Sequence, residues 1–113
     1  MSTAAKELPA CPVETTLTLI SDKWKVLILR DLMPGTKRSG ELKKSIGTVS
    51  QKVLTTQLRQ MEESGLLTRK VYPEVPPRVE YTLTELGYSL KPILDAMGNW
   101  GEAYKARSGQ DRA

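Results

Sequence analysis

Residues Arg38 to Gly65 read RSGELKKSIGTVSQKVLTTQLRQMEESG, a stretch that predicts two helices joined by a tight turn. The first helix is short and polar, with Leu42 and Ile46 one turn apart on one face. Ser50 predicts the N-cap of the second helix, and Gly65 suits the left-handed position that follows a helix C-terminus. Two helices joined by so short a turn form a helix-turn-helix candidate.

The second helix of this pair has one apolar side and one polar side. Leu54, Leu58 and Met61 fall together when residues are placed about 100° apart, and they predict the core-facing side. The opposite side carries Lys52, Thr55, Thr56, Arg59 and Gln60. These side chains suit base edges and phosphates. The alternative is the solvated polar face of any surface helix, and the neighbouring elements favour the first interpretation.

The hydrophobic period changes to two after the helix pair. Alternating residues predict strands at about 67–72 and 78–83. The connection at 73–77 contains three prolines, which stiffen it, so we expect a rigid projecting hairpin. The fold predicted from these elements is a winged helix-turn-helix, mainly α with a small β-hairpin.

Apolar helical stripes flank this unit on both sides. Helices are predicted at 13–20 and 22–32, the second central to the core because residues 26–29 are all apolar. Beyond the hairpin, apolar residues from 86 to 104 alternate at spacings of four and three, with a kink or break at Pro92. A small domain cannot cover so long a helix, so we expect packing against a second copy. The predicted dimer interface comprises Val13, Leu17, Ile20, Leu90, Ile93, Leu94, Met97, Trp100 and Tyr104.

The composition excludes several classes of active site. The chain has 113 residues, a net charge of +4, no His and a single Cys. Without His there is no Ser-His or Cys-His catalytic pair. One Cys allows neither an intrachain disulfide nor a multi-cysteine zinc site. No carboxylates cluster at a metal-binding spacing, so we expect no metal, no cofactor and no enzymatic activity.

Length and local composition predict the domain organisation. The length fits one domain over residues 11–107, with a flexible arm at 1–10 and a frayed tail at 108–113. Neither a signal sequence nor a membrane-spanning run is visible, which predicts a cytoplasmic protein with no membrane partner. The basic pI, about 9.3, weakly favours a polyanionic partner.

A winged helix-turn-helix brings three cationic elements to one surface. Its second helix enters the major groove with its N-terminal residues leading, and the flanking elements reach the backbone. The predicted DNA-binding residues are Arg38, Lys43 and Lys44 on the first helix, Ser50, Gln51, Lys52, Thr55, Thr56 and Arg59 on the second, and Arg69, Lys70 and Arg78 on the hairpin.

Cys11 has two interpretations. It is either a small buried apolar side chain or a thiolate sensor. Cys11-Pro12 directly precedes a predicted helix, and a helix N-terminus favours the thiolate form. A lone Cys could pair across a dimer or react with a small thiol or electrophile.

Blocks of this sequence resemble the HxlR-type winged helix-turn-helix regulators of bacteria. The matching blocks are residues 11–13, 23–29, 38–43, 49–55, 58–66 and 75–87, followed by Trp100-Gly101. The resemblance implies a homodimeric DNA-binding regulator without an enzymatic domain, in which the terminal helices make the dimer and the wing carries the Pro-Pro segment. It also implies that Cys11 matches a position that some members use to sense oxidants, quinones or other electrophiles. Ser39 departs from the family, which usually has Phe there.

The predicted function is sequence-specific transcription regulation on a pseudo-palindromic operator. The predicted partners are double-stranded DNA, a second copy of the chain, and a small-molecule or oxidant effector sensed at Cys11. Three alternatives are a winged-helix module that binds protein instead of DNA, a ligand-gated regulator in which Cys11 is only structural, and a small enzyme, which the composition disfavours.

Overall fold

The computed structural model describes residues 7–109 and shows a mainly helical fold with a small sheet. Its elements are α1 (Pro12–Ile20), α2 (Lys23–Leu32), β1 (Lys37–Arg38), α3 (Ser39–Ile46), α4 (Gln51–Glu63), β2 (Leu67–Tyr72), β3 (Arg78–Leu83), α5 (Glu85–Tyr88) and α6 (Lys91–Ser108). This order is that of a winged helix-turn-helix, as predicted. The parts of the predicted arm and tail at residues 1–6 and 110–113 lie outside the described residues.

Helix α2 forms the centre of the core. Ile28, Leu29 and Leu32 are fully buried on it. Asp22 caps this helix: its carboxylate accepts the backbone N–H of Lys25 at 3.0 Å. The helix therefore begins one residue later than predicted.

The helix-turn-helix forms where the sequence predicts it. The turn passes through Gly47, whose φ of 85° is a left-handed value that favours glycine. Ser50 caps α4, and its hydroxyl oxygen accepts the backbone N–H of Val53 at 3.1 Å. The predicted inner face is confirmed, because Leu54, Leu58 and Met61 are buried.

The sheet has three antiparallel strands in the order β1-β3-β2. The two hairpin strands have the predicted bounds and pair from Leu67 with Leu83 to Tyr72 with Arg78. Strand β1 was not predicted; it places Lys37 opposite Tyr81. Arg38 therefore ends a strand and caps α3, rather than lying within that helix as expected.

The C-terminal stripe divides into two helices. The helix is interrupted at residues 89–90, between α5 and α6. Pro92 lies in the first turn of α6. Gly87 of α5 packs so closely on the turn between α4 and β2 that a Cβ at this position would collide with the Leu66 carbonyl oxygen. Helix α6 ends at Ser108, and Gly109 follows with a left-handed φ of 79°.

Two negative findings concern the described part of the chain. No helix between residues 7 and 109 is both long and apolar enough to cross a bilayer. In the same range no three His, Cys, Asp or Glu side chains are grouped as metal ligands.

Candidate nucleic-acid interface

The outer face of α4 presents uncommitted polar groups. Lys52 and Arg59 are exposed, and within residues 7–109 their side chains form no ion pair or hydrogen bond. Thr55 and Thr56 are exposed between them, and the Thr56 hydroxyl donates to the Lys52 carbonyl at 3.0 Å. Gln60 departs from this predicted face, because its side chain binds Lys25.

Gln51, in the first turn of α4, is already oriented. Its Nε2 group donates to Ser39 Oγ at 3.3 Å and to Thr55 Oγ1 at 3.1 Å. In the described part of the chain its Oε1 atom accepts no hydrogen bond, so an acceptor remains available at the end of the helix that the sequence predicts to meet bases.

Two clefts connect the helix-turn-helix with the sheet. One, of about 410 Å³, is bordered by Thr55 and Arg59 of α4 and Arg69 of β2. The other, of about 390 Å³, lies between residues 38–40 and residues 74–79 of the wing, which is the hairpin of β2 and β3 with its connection. Ser39 borders both. Arg38 of β1, Arg59 of α4, and Arg69 and Arg78 of the hairpin thus line two clefts that share Ser39.

The remaining predicted cations differ in whether their side chains make contacts. Lys43, Lys44 and Arg69 are exposed and have no side-chain partner within residues 7–109. Lys70 lies with its Nζ 4.9 Å from the centre of the Tyr72 ring, a cation–π contact.

Arg78 is committed within the wing. Its guanidinium carbon lies 3.9 Å from the centre of the Tyr72 ring, and its nitrogens lie 3.2 Å from Glu74 and 3.4 Å from Glu80. Its side chain is half-buried. These contacts brace the wing, and the DNA contact predicted for Arg78 stays a prediction.

A buried cation, which the sequence analysis did not predict, lies between α2 and α4. Lys25 is only 9% exposed, and its Nζ donates to Gln57 Oε1 and Gln60 Oε1 at 2.7 Å each and to Asp22 Oδ2 at 3.2 Å. We call these four residues the Lys25 cluster. Its signal was available: Lys25 stands three and four residues before the buried Ile28 and Leu29, on the inner face of α2.

The charges around Asp22 and Asp31 favour their ionised forms. Burial raises the pKa of Asp22. This effect is outweighed by the hydrogen bonds from Lys25, the positive charge of Lys25 and a hydrogen bond from Gln57, so the pKa of Asp22 lies below its ordinary value. Asp31 behaves alike: burial raises its pKa, and hydrogen bonds from Arg30 and Ser45 lower it further than burial raises it. The Ser45 hydroxyl donates to Asp31 Oδ2 at 2.6 Å, which ties α3 to α2.

The residues predicted for a dimer interface divide into two groups. Val13, Leu17, Ile93, Met97, Trp100 and Tyr104 are exposed, Trp100 at 69%. The Trp100 and Tyr104 rings stack with centres 5.4 Å apart. Ile20 and Leu90 instead belong to the subunit's own core, at 5% and 7% exposure, and Leu94 packs partly against it. Burial within the chain leaves Ile20 and Leu90 little exposed surface, and their place in a dimer interface stays a prediction.

Cys11 is exposed and occupies the N-cap position of α1. Its backbone is extended and its side chain makes no capping hydrogen bond. Pro12 follows as the first helical residue. The buried interpretation of Cys11 is therefore wrong for this structure.

This architecture combines a helix-turn-helix, a braced wing and cations between them. It is typical of DNA-binding transcriptional regulators, which are not enzymes. The chain matches the HxlR-like helix-turn-helix family over residues 19–109. It belongs to that family, as the resemblance implied.

Relatives and solved structures agree with this assignment. The HTH-type transcriptional regulator YdeP of Bacillus subtilis is 46% identical over 104 residues, covering 92% of this chain and 81% of YdeP. YkvN of the same organism is 52% identical over 95 residues, covering 84% and 80%. The structure of the redox regulator HypR in its reduced form aligns with a TM-score of 0.80 at 43% identity, over 84% of this chain and 94% of that one. Diamide-treated YodB from B. subtilis aligns with a TM-score of 0.68 at 37% identity, over 83% and 94%.

Proposed function

We propose that the protein acts in the cytoplasm as a homodimer that binds a pseudo-palindromic operator and releases it when Cys11 is oxidised. The observation that carries the DNA-binding part is the outer face of α4, where Lys52 and Arg59 are exposed without a partner in the described part of the chain. Because no group of the described chain occupies these two side chains, they stay available for bases and phosphates.

In this proposal the residues divide by task. Gln51, Thr55, Thr56 and Arg59 contact base edges, and the Ser50 hydroxyl and the N-terminus of α4 meet a phosphate. Backbone contacts come from Arg38, Lys43, Lys44, Lys52, Arg69 and Lys70, while Arg78 holds the wing in shape. Phosphate contacts release counterions, so affinity should fall steeply with salt.

The dimer part rests on the exposed apolar side chains of the terminal helices. Helix α6 has 18 residues, and none of them is buried. Ile93, Met97, Trp100 and Tyr104 recur along it at helical spacing and are all exposed. A second copy would cover this stripe together with the exposed Val13 and Leu17 of α1. Binding to two half-sites one turn of DNA apart then requires the two α4 helices to lie about 34 Å apart.

The sensing part rests on the exposure of Cys11 at a helix N-terminus and on similarity to HypR, which is a redox regulator. Diamide takes two electrons and two protons from two thiols and so creates a disulfide. With one Cys per chain, the second thiol comes from the partner subunit or from a small thiol.

Selection of bound sequences from random duplex DNA tests the whole proposal. We expect enrichment of a palindrome at physiological salt and its loss after diamide treatment. The Cys11→Ser variant is the matched control and should retain enrichment in both conditions. Loss of enrichment in that variant too would assign the diamide effect elsewhere, and no enrichment in any arm would favour a protein-interaction module or a regulator gated by an unidentified ligand.

A further inference from the structure

The Lys25 cluster joins two helices that the apolar core alone would hold less specifically. An ammonium group has three donors, and Lys25 uses all three on Asp22, Gln57 and Gln60. Asp22 caps α2, whereas Gln57 and Gln60 lie one turn apart on α4. The cluster therefore ties the first turn of α2 to two successive turns of α4.

These bonds act differently from the neighbouring apolar contacts. Leu54, Leu58 and Met61 bury the inner face of α4, but hydrophobic burial is not directional. Hydrogen bonds from a charged donor are short and depend on angle. The cluster thus resists sliding and rotation of α4, which the leucine contacts resist only through packing.

We propose that Lys25 is a positioning residue for sequence readout, because it fixes where α4 presents Gln51, Thr55 and Arg59. This inference rests on the proposed DNA-binding function. A hydrogen bond to a base edge requires accurate distance and angle. A flexible lysine reaching a phosphate tolerates a shifted helix. Removing Lys25 therefore weakens binding to the preferred sequence more than binding to DNA in general.

The experiment compares the wild type with Lys25→Met and Lys23→Met by titrating an enriched duplex and a scrambled duplex of equal length. For Lys25→Met we expect affinity for the enriched duplex to fall about tenfold, a magnitude ordinary for groups within one hydrogen-bond network. Affinity for the scrambled duplex should change by less than about twofold, with the same salt dependence, because phosphate contacts persist.

Lys23 is the matched control. It carries the same charge in the same turn of α2, is exposed, and lies with its Nζ 4.5 Å from the centre of the Trp24 ring. Lys23→Met should keep the wild-type ratio of the two affinities. A fall in this control equal to that of Lys25→Met would show that charge, and not position, matters.

Two further variants separate positioning from folding. Lys25→Arg retains a charged donor and should restore most of the wild-type ratio. Lys25→Met/Gln57→Leu also removes the Gln57 Oε1 acceptor, which Lys25→Met leaves without its donor. The double variant should therefore recover part of the thermal stability while the ratio stays low.

An unchanged ratio in folded Lys25→Met, or an equal loss on both duplexes, would overturn the positioning role. Recovery of the ratio in Lys25→Met/Gln57→Leu would do the same, because apolar packing would then suffice to position α4. A wild-type protein that prefers no sequence would contradict the proposed function itself, and with it this role of Lys25.

Discussion

Helices α4 and α6 differ in the burial of their apolar residues. Helix α4 has 13 residues and buries Leu54, Leu58 and Met61 within the subunit. Helix α6 has 18 residues, and none of them is buried. Trp100, its largest apolar side chain, is 69% exposed. The apolar side of α4 is covered within the chain, whereas most of the apolar side of α6 stays exposed.

The chemistry of the uncovered face indicates the partner of each helix. The uncovered face of α4 carries Lys52, Thr55 and Arg59, which are groups that bind an anion and hydrogen-bonding bases. The uncovered face of α6 carries aliphatic and aromatic side chains, whose burial against another protein surface is favourable. DNA and a second copy of the chain are therefore expected on different helices, and variants on each helix test that division.

The largest expected effect is that of Leu58→Ala on α4. Leu58 is 1% exposed, so truncation leaves a cavity in the core, and we expect a loss of about 2–5 kcal/mol in the free energy of unfolding. Urea denaturation measures it. Val71→Ala, at an exposed position on β2, is the control and should cost much less. Equal losses would mean that the inner face of α4 is misassigned.

The next effect is that of Trp100→Ala on α6. A central aromatic residue of an interface contributes about 2 kcal/mol or more to association, so the dimer should dissociate at concentrations where the wild type stays paired. Sedimentation equilibrium measures this, with Val71→Ala again as the control. A monomeric wild type, or a Trp100→Ala variant that dimerises as tightly, would remove α6 from the interface.

A smaller effect is expected for Arg59→Ala on the outer face of α4. Arg59 is exposed, so the free energy of unfolding should change by less than about 0.5 kcal/mol. Affinity for an enriched duplex should fall by about 1–3 kcal/mol if Arg59 contacts a base. Arg107→Ala removes the same charge from α6 and should leave DNA affinity nearly unchanged. Equal losses of affinity would attribute the effect to net charge.

Much of the fold could be predicted because its signals are local. Ser50 and Gly65 mark the ends of α4 through capping and a left-handed backbone, and neither needs a distant partner. The hairpin strands follow from alternation within six residues each. Assignment of Leu58 to the inner face of α4 followed from helical periodicity, which the structure confirms.

The features that escaped prediction depend on distant contacts. Strand β1 has two residues, too few to show alternation, and exists because Lys37 pairs with Tyr81. Leu90 belongs by sequence spacing to the exposed stripe of α6. The helix is interrupted at this residue, however, and the Leu90 side chain is buried in the core. Lys25 bonds to Gln57 and Gln60 across 32 and 35 residues, a pairing that no local pattern encodes.

The smallest expected effect concerns the acid behaviour of the Lys25 cluster, measured with Asp22→Asn. The pKa of Asp22 in the folded state lies below its ordinary 3.8. Its ionised form therefore stabilises the fold above the unfolded pKa, and this contribution is lost as pH falls through the folded pKa. Asn caps a helix about as well as Asp, so the variant keeps the cap but loses the charge and the Oδ2 acceptor for Lys25 Nζ. Thermal unfolding should show a slightly lower Tm for Asp22→Asn at pH 7 and a difference that shrinks as pH falls below about 4. A difference that stays constant down to pH 3 would mean that the Asp22 charge contributes nothing to the tie between α2 and α4, leaving Gln57 and Gln60 to hold Lys25.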